Sequence, residues 1–399
     1  MSPRLVDTLA LAVLVPVLVV LWLPRLRRRD SWRATVTPLA SIIGSGFLVV
    51  GPILADVAGQ AAAVAMFGLC ALAWLFGSAI RFNILHAEPL ASSHRRVGLL
   101  RLDRAAGACL ALAYFISVAY YLNLLGAFLL RGVGRVDPTL ARAITTAILF
   151  GLAALGWRRG FRGVERLEIP AVSFKLAVIA GVLAALAGVW PAAPATHPLP
   201  PHGARPGWHE LRVLLGCVIL VQGFETSRFL GASYPAALRV RSMRWAQLLS
   251  TVIYVAFIVL LLPHVPPGHG VGMEETEIID IVGRLSMSLG PLLVLAAIAS
   301  QLSAAVADLG GAGGLLAELS PQMTPPRAYL AVAVVATALT WSANVFGIIA
   351  IASRAFAVYY ALQCVLAAAL ARDLPLRRAA YAAGAALAVM VVLFGLPAG

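Results

Sequence analysis

Apolar runs of about 20 residues, each long enough to cross roughly 30 Å of hydrocarbon, follow one another from Asp7 almost to the C-terminus, and about twelve can be counted. The stretches between them are too short for a soluble domain of useful size. With 61% hydrophobic and 12% charged residues, against about 25% charged in ordinary soluble domains, the chain reads as an all-α polytopic membrane protein. The net charge of +14 does not mark a nucleic-acid binder. Its arginines sit in short clusters between the apolar runs, where they orient a chain in its lipid bilayer.

Two residue types sharpen this reading. Cys70, Cys109, Cys217 and Cys364 lie far apart inside apolar runs, without C-x-x-C spacing, so they read as small packing residues and not as a disulfide or zinc framework. Every basic residue other than histidine is arginine except Lys175. An arginine- and alanine-rich composition points to a bacterium of high GC content, and the retained lysine to a place where arginine does not serve. His197, His202 and His209 flank a proline-rich loop at spacings that match no metal-ligand pattern. Neither a metal nor a cofactor is expected.

In order, the runs are Leu9 to Leu23, Val36 to Gly59, Ala61 to Ile80, Gly107 to Leu130, Thr139 to Trp157, Pro170 to Trp190, the stretch through Val213 to Gly231, Ala246 to Leu262, Pro291 to Leu316, Tyr329 to Asn344, Val345 to Leu370 and Ala379 to Leu396. In the first, the arginines follow the apolar run and no small-residue cleavage site appears, as in an uncleaved helix. The loop from His264 to Ser286 carries Glu274, Glu275, Glu277 and Asp280 and reads as a short surface helix. Threading the runs alternately, with the N-terminus outside, puts the arginine clusters at 25 to 33, 81 to 104, 158 to 166, 239 to 244 and 372 to 378 on one side. That side is cytoplasmic. Both termini then lie outside a bacterial inner membrane.

Polar residues interrupt the runs at two places. In I-I-G-S-G-F, Ile42 to Phe47, two glycines flank a serine ahead of Pro52, which weakens the helix and frees backbone groups that need a ligand, water or another helix; the other reading is close packing through small residues. In V-Q-G-F-E-T-S-R-F-L-G, Val221 to Gly231, Glu225 and Arg228 stand within an apolar segment. An ionisable group at that depth marks a functional site, unless the two simply neutralise each other at i, i+3. Setting the end helices aside (1–30 and 372–399) leaves five runs in 31–190 and five in 191–371, each set opening on an interrupted helix. Because five is odd, the halves are inverted. Such a five-plus-five repeat, with discontinuous first and sixth core helices, describes a secondary transporter that holds its solute at both breaks.

These residues resemble the amino acid, polyamine and organocation (APC) transporter superfamily. I-I-G-S-G-F with Pro52 and Gly59 is similar to the first core helix of that family, whose I-G-S-G-I-F type motif binds a carboxylate and an amine. R-G-F-R-G-V-E-R-L-E-I-P-A-V-S-F-K-L resembles the connection into its lysine-bearing fifth helix, and G-F-E-T-S-R its sixth. The family pattern of proline and paired glycines after the second helix is replaced by A-E-P-L-A-S-S-H-R-R, which marks a divergent branch. An Nramp-type metal carrier is disfavoured, since D-P-G-N is missing at the first break and methionine at the second.

The resemblance implies a small solute, amino acid-like or amine, contacting Ile43, Gly44, Ser45, Gly46, Tyr121, Gly223, Phe224, Glu225 and Thr226. Tyr121 shares a helix face with Tyr114 and Ser117, whereas Tyr120 and Asn123 lie on another. Lys175 matches the lysine that takes the place of sodium in proton-coupled members, so its protonated form is expected to bridge the first break to Ser300 and Ser303 of the eighth core helix. A lysine desolvated among apolar neighbours has its charged form disfavoured and releases a proton more readily, as arginine does not. Glu225 is the second proton candidate. Asp308 stands near one helix end, either as a gate or merely wetted by a mouth; Arg354 needs Glu225, a solute carboxylate or carbonyls. An enzyme is not expected, since neither H-E-x-x-H nor G-x-S-x-G occurs. A transporter-like sensor or a channel remains the alternative to coupled, alternating-access transport. Oligomeric state is not legible.

Overall fold

The computed structural model of the protein describes residues 2–44, 46–91, 97–159, 165–190, 207–265, 276–286, 288–320 and 322–398, and among these every regular element is helical. Helix α1 (Pro3–Trp22) is followed by the short α2 (Pro24–Arg27) and by α3 (Asp30–Ile42) and α4 (Gly46–Ala58), the two pieces of the first interrupted segment. Next come α5 (Ala62–His86), the short α6 (Glu88–Ala91), α7 (Val97–Gly132), α8 (Pro138–Arg159) and α9 (Glu165–Val189). The second interrupted segment consists of α10 (Trp208–Gly216) and two 3-10 stretches, Val218–Val221 and Phe224–Ala232. The chain continues through α11 (Ala236–Leu261), α12 (Ile278–Leu285), α13 (Leu289–Leu319), α14 (Pro325–Ser342), α15 (Val345–Leu370) and α16 (Pro375–Phe394).

Nine stretches among the described residues are long and apolar enough to cross a membrane. Helix α14, α3 of the first interrupted segment and the second interrupted segment, each read as part of an apolar run in the sequence, fall outside these nine. Local chemistry sets many of the starts. Proline opens α1, α2, α8, α14 and α16, where its missing N–H would be unpaired in any case. Asp137 accepts from the N–H groups of Thr139 and Leu140 at 3.0 and 2.9 Å, and Asn344 accepts from that of Gly347 at 2.7 Å; such caps are worth about 1 kcal/mol each.

Helix α7 packs against both α13 and α15, and α3 lies against α11, α9 and the Phe224–Ala232 stretch, so both interruptions sit inside the bundle. Helix α1 packs on α9, α16 on α15 and α8 on α14. The outer faces stay apolar, with Leu5, Leu11, Val15 and Val19 of α1 and Leu376 and Leu393 of α16 exposed. A surface of this kind is at home in lipid and would aggregate in water.

Helix ends depart from the sequence expectation at three places. The arginines 239, 241 and 244, expected in a turn, belong to α11, and Arg101 and Arg104 belong to α7. Hydropathy marks only the part of a helix that needs hydrocarbon, whereas the hydrogen-bond ladder runs on into the interface. The run Pro291 to Leu316 continues as helix to Leu319, with G-G-A-G-G (310–314) inside α13: a Cβ on Gly311 would stand 2.9 Å from the ring of Tyr114, and one on Gly313 2.5 Å from that of Tyr329. The expected surface helix is α12, whose Asp280 pairs with Arg131. Glu274, Glu275, His197 and His202 lie outside the described residues.

Candidate functional site

The two interruptions touch. Helix α3 ends at Ile42, Ile43 and Gly44 leave the helical path, and α4 restarts at Gly46, while Ser45 lies outside the described residues. A Cβ on Gly46 would stand 2.1 Å from the carbonyl oxygen of Leu220 in the other break. Gly223 has φ of +115°, a left-handed conformation that a side chain resists, and a Cβ there would lie 2.5 Å from that of Ser41. Glycine is thus required on both sides of one contact.

Backbone groups freed by a break need partners, and α15 supplies some. Ser353 Oγ accepts from the N–H of Ile219 at 2.9 Å and donates to the carbonyl of Gly216 at 2.6 Å. From α11, the Tyr254 hydroxyl stands 2.8 Å from the carbonyls of both Ile42 and Leu220. Neither residue was singled out by the sequence. Ser353 is one small polar residue in an apolar helix, and Tyr254 within V-I-Y-V-A-F looks like packing.

Glu225 is fully buried. Its Oε2 accepts from the Gly223 N–H and from the Tyr360 hydroxyl, both at 3.0 Å, and Phe224 stacks on the Tyr360 ring at 5.3 Å. The Glu225–Arg228 pair weighed in the sequence does not form. Arg228 reaches Asp103 of α7 at 2.6 Å instead, because Gly223 and Tyr360 already hold the glutamate. Thr226 Oγ1 donates to the Gly223 carbonyl at 2.7 Å and so serves its own turn. Gln222, also missed, donates through Nε2 to the Tyr121 hydroxyl at 2.8 Å. Its Oε1, together with Glu225 Oε1, is buried without a hydrogen-bond partner among the described residues.

Lys175 of α9 is buried, and its Nζ donates to the Ala40 carbonyl at 2.9 Å and to Ser300 Oγ at 3.2 Å. Ser300 Oγ in turn lies 3.4 Å from the carbonyl of Ile43. Lysine, first break and α13 therefore meet at one point. Ser303 does not join them, since its hydroxyl turns back onto the Ser300 carbonyl at 2.9 Å. Asp308 is buried and accepts from Ser117, which removes the reading that a mouth wets it. Arg354 binds the Gly395 carbonyl, through Nε at 3.2 Å; of its three possible partners the structure selects a carbonyl, at the far end of α16 from the arginine-rich turn.

The fold is shared with solved transporters. MhsT in complex with L-phenylalanine superposes with a TM-score of 0.60 at 16% identity, over 91% of this chain and 98% of that one. A manganese transporter of Eremococcus coleocola superposes with 0.56 at 16% identity, over 92% and 87%. A sodium-coupled sialic acid symporter gives 0.54 at 14%, over 98% of each. At such identities the likeness is one of fold. A protein of Aquifex aeolicus (strain VF5), described as uncharacterized, is 42% identical over 356 residues, covering 86% of this chain and 85% of the relative. The family model of the APC superfamily transporters matches residues 24–395. With that match spanning nearly the whole chain, the protein belongs to the APC superfamily of transporters.

Proposed function

We propose that the chain is a proton-coupled secondary transporter of a small amino acid-like or amine solute, working by alternating access. One observation carries this reading: the ammonium of Lys175 ties the first break to α13 through Ala40 and Ser300. A protonated lysine there closes the contact; on losing its proton it holds α13 less tightly, and the break is free to move. The partners of the chain are then the solute, protons and lipid. The solute class is supported by the excess of acceptors at the breaks, among them Gln222 Oε1 and Glu225 Oε1, which suit a ligand rich in N–H donors. The neighbours named above carry an amino acid, a sugar acid and a metal ion between them, and so do not choose the solute.

Twelve crossings in two inverted sets of five plus an end helix each, both termini outside a bacterial inner membrane, complete the proposal. Residues 1–30 and 372–399 form the end helices, and 31–190 and 191–371 the repeats.

The test is uptake into proteoliposomes under imposed proton or sodium gradients, with a panel of amino acids and amines. An inward proton gradient should drive accumulation in the wild-type chain. Lys175→Ala and Lys175→Arg should each lower it at least about tenfold, since alanine has no donor and arginine keeps its proton. Sodium-driven uptake that ignores both substitutions would sink the proposal, and downhill flux with no accumulation would support a channel.

A further inference from the structure

Tyr254 faces both interruptions from α11 and is fully buried. Its hydroxyl lies 2.8 Å from each of two carbonyls, that of Ile42 where α3 ends and that of Leu220 in the second break. A phenol carries one proton, so two buried acceptors share a single donor. The shortage is built into the chain path. The N–H of Gly223, which would reach the Leu220 carbonyl if the 3-10 turn continued, donates to Glu225 instead. The space left beside Tyr254, bounded by Ile42, Val221, Gln247 and Ser250, is about 10 Å³, the room of one water molecule. That space holds no amino acid-sized solute in this state.

We propose that the Tyr254 hydroxyl is an internal ligand of the solute-free protein: it latches the two breaks by occupying their carbonyls, and a solute bearing N–H donors displaces it. The latch stands on the hydrogen bonds alone; the displacing solute rests on the class proposed above. An ammonium brings three donors and gives each carbonyl a proton of its own, where the phenol shares one between the two. A cation of equal charge without N–H offers those oxygens its charge but no hydrogen bond to replace the phenol's. Tyr254 thereby sets a specificity rule, because it excludes whatever does not out-donate it.

Tyr254→Phe keeps the ring, which lies 5.9 Å from that of Phe47, and removes the donor. In hydrogen exchange of the solute-free protein, amides 42–44 and 219–223 should lose protection together, by about tenfold; unchanged protection at either break overturns the latch. L-alanine and methylammonium serve as N–H probes and tetramethylammonium as the donor-free cation. Whichever N–H probe binds the wild-type chain should bind Tyr254→Phe about 5- to 10-fold more tightly, since the competing hydroxyl is gone. Equal or weaker binding overturns the displacement, and so does a gain for tetramethylammonium. Incorporation of 3-fluorotyrosine at 254 keeps the hydroxyl and the fold: its fluorine resonance should shift on adding the bound N–H probe, and a fixed resonance counts against displacement. If neither N–H probe binds the wild-type chain, the proposed solute class and the displacement fall together, while exchange at the breaks still decides the latch.

Discussion

Arg228 forms its ion pair across helices instead of along its own. It meets Asp103 at 2.6 Å, and its carbonyl accepts from Arg239 at 2.8 Å, which also forks onto both oxygens of Glu88 at 3.0 and 2.6 Å. The side chain of Arg228 is 10% exposed and that of Asp103 30%, so the pair is partly desolvated and each charge depends on the other. A double-mutant cycle of Arg228→Gln and Asp103→Asn, read as thermal midpoints, should give a coupling of roughly 0.5–3 kcal/mol, with the double variant less destabilised than the sum of the singles. The sequence exposed Glu225 and Arg228, because a charge in an apolar run is conspicuous. It hid their partners. Spacing along one helix is local information, whereas Asp103 lies 125 positions from Arg228. Lys175 was legible as the single lysine among arginines, and the family resemblance put it near the first break; that Ser300 and not Ser303 would receive it depended on rotation of α13, which no local pattern encodes.

At the scale of the element, the breaks are made by glycine and closed by distant side chains. Gly223→Ala should cost about 1–3 kcal/mol for the left-handed backbone, with the overlap on Ser41 added to it. Gly46→Ala meets the rigid carbonyl of Leu220 and should be at least as damaging. Gly151→Ala is the control, since nothing lies within 4 Å of its Cβ and alanine is the better helix former by about 1 kcal/mol. Thermal midpoints of the three purified variants would check the order, and a Gly46→Ala protein as stable as Gly151→Ala would contradict the contact between the breaks. Both breaks were readable from G-S-G-F and G-F-E-T. Helix ends were not, as the arginine-bearing start of α11 illustrates: nothing in hydropathy stops a helix at the membrane surface.

For the whole molecule, the arginine clusters predict both ends on the outer side. A cysteine placed by Ala398→Cys should react with an impermeant maleimide in intact cells, while Cys70, Cys217 and Cys364, which are buried, should not; reaction only after the cells are opened would reverse the topology. Helix α1 enters this picture through Asp7, whose Oδ1 accepts from the hydroxyls of Ser286 and of Ser288, the latter at 2.7 Å, and Ser286 Oγ accepts in turn from the N–H of Leu289 at 3.2 Å. Asp7 therefore caps α13 through a serine. Asp7→Ala should lower the thermal midpoint by the equivalent of about 1–2 kcal/mol, whereas a protein of unchanged midpoint would show the contact to be idle.

That contact also sets an order of assembly. Asp7 and Ser288 stand 281 positions apart, so α1 waits in the bilayer, its carboxylate without its serines, until the chain has been translated past Ser288. Its docking on the turn ahead of α13 is a late step, and until then α1 has α9 to pack against.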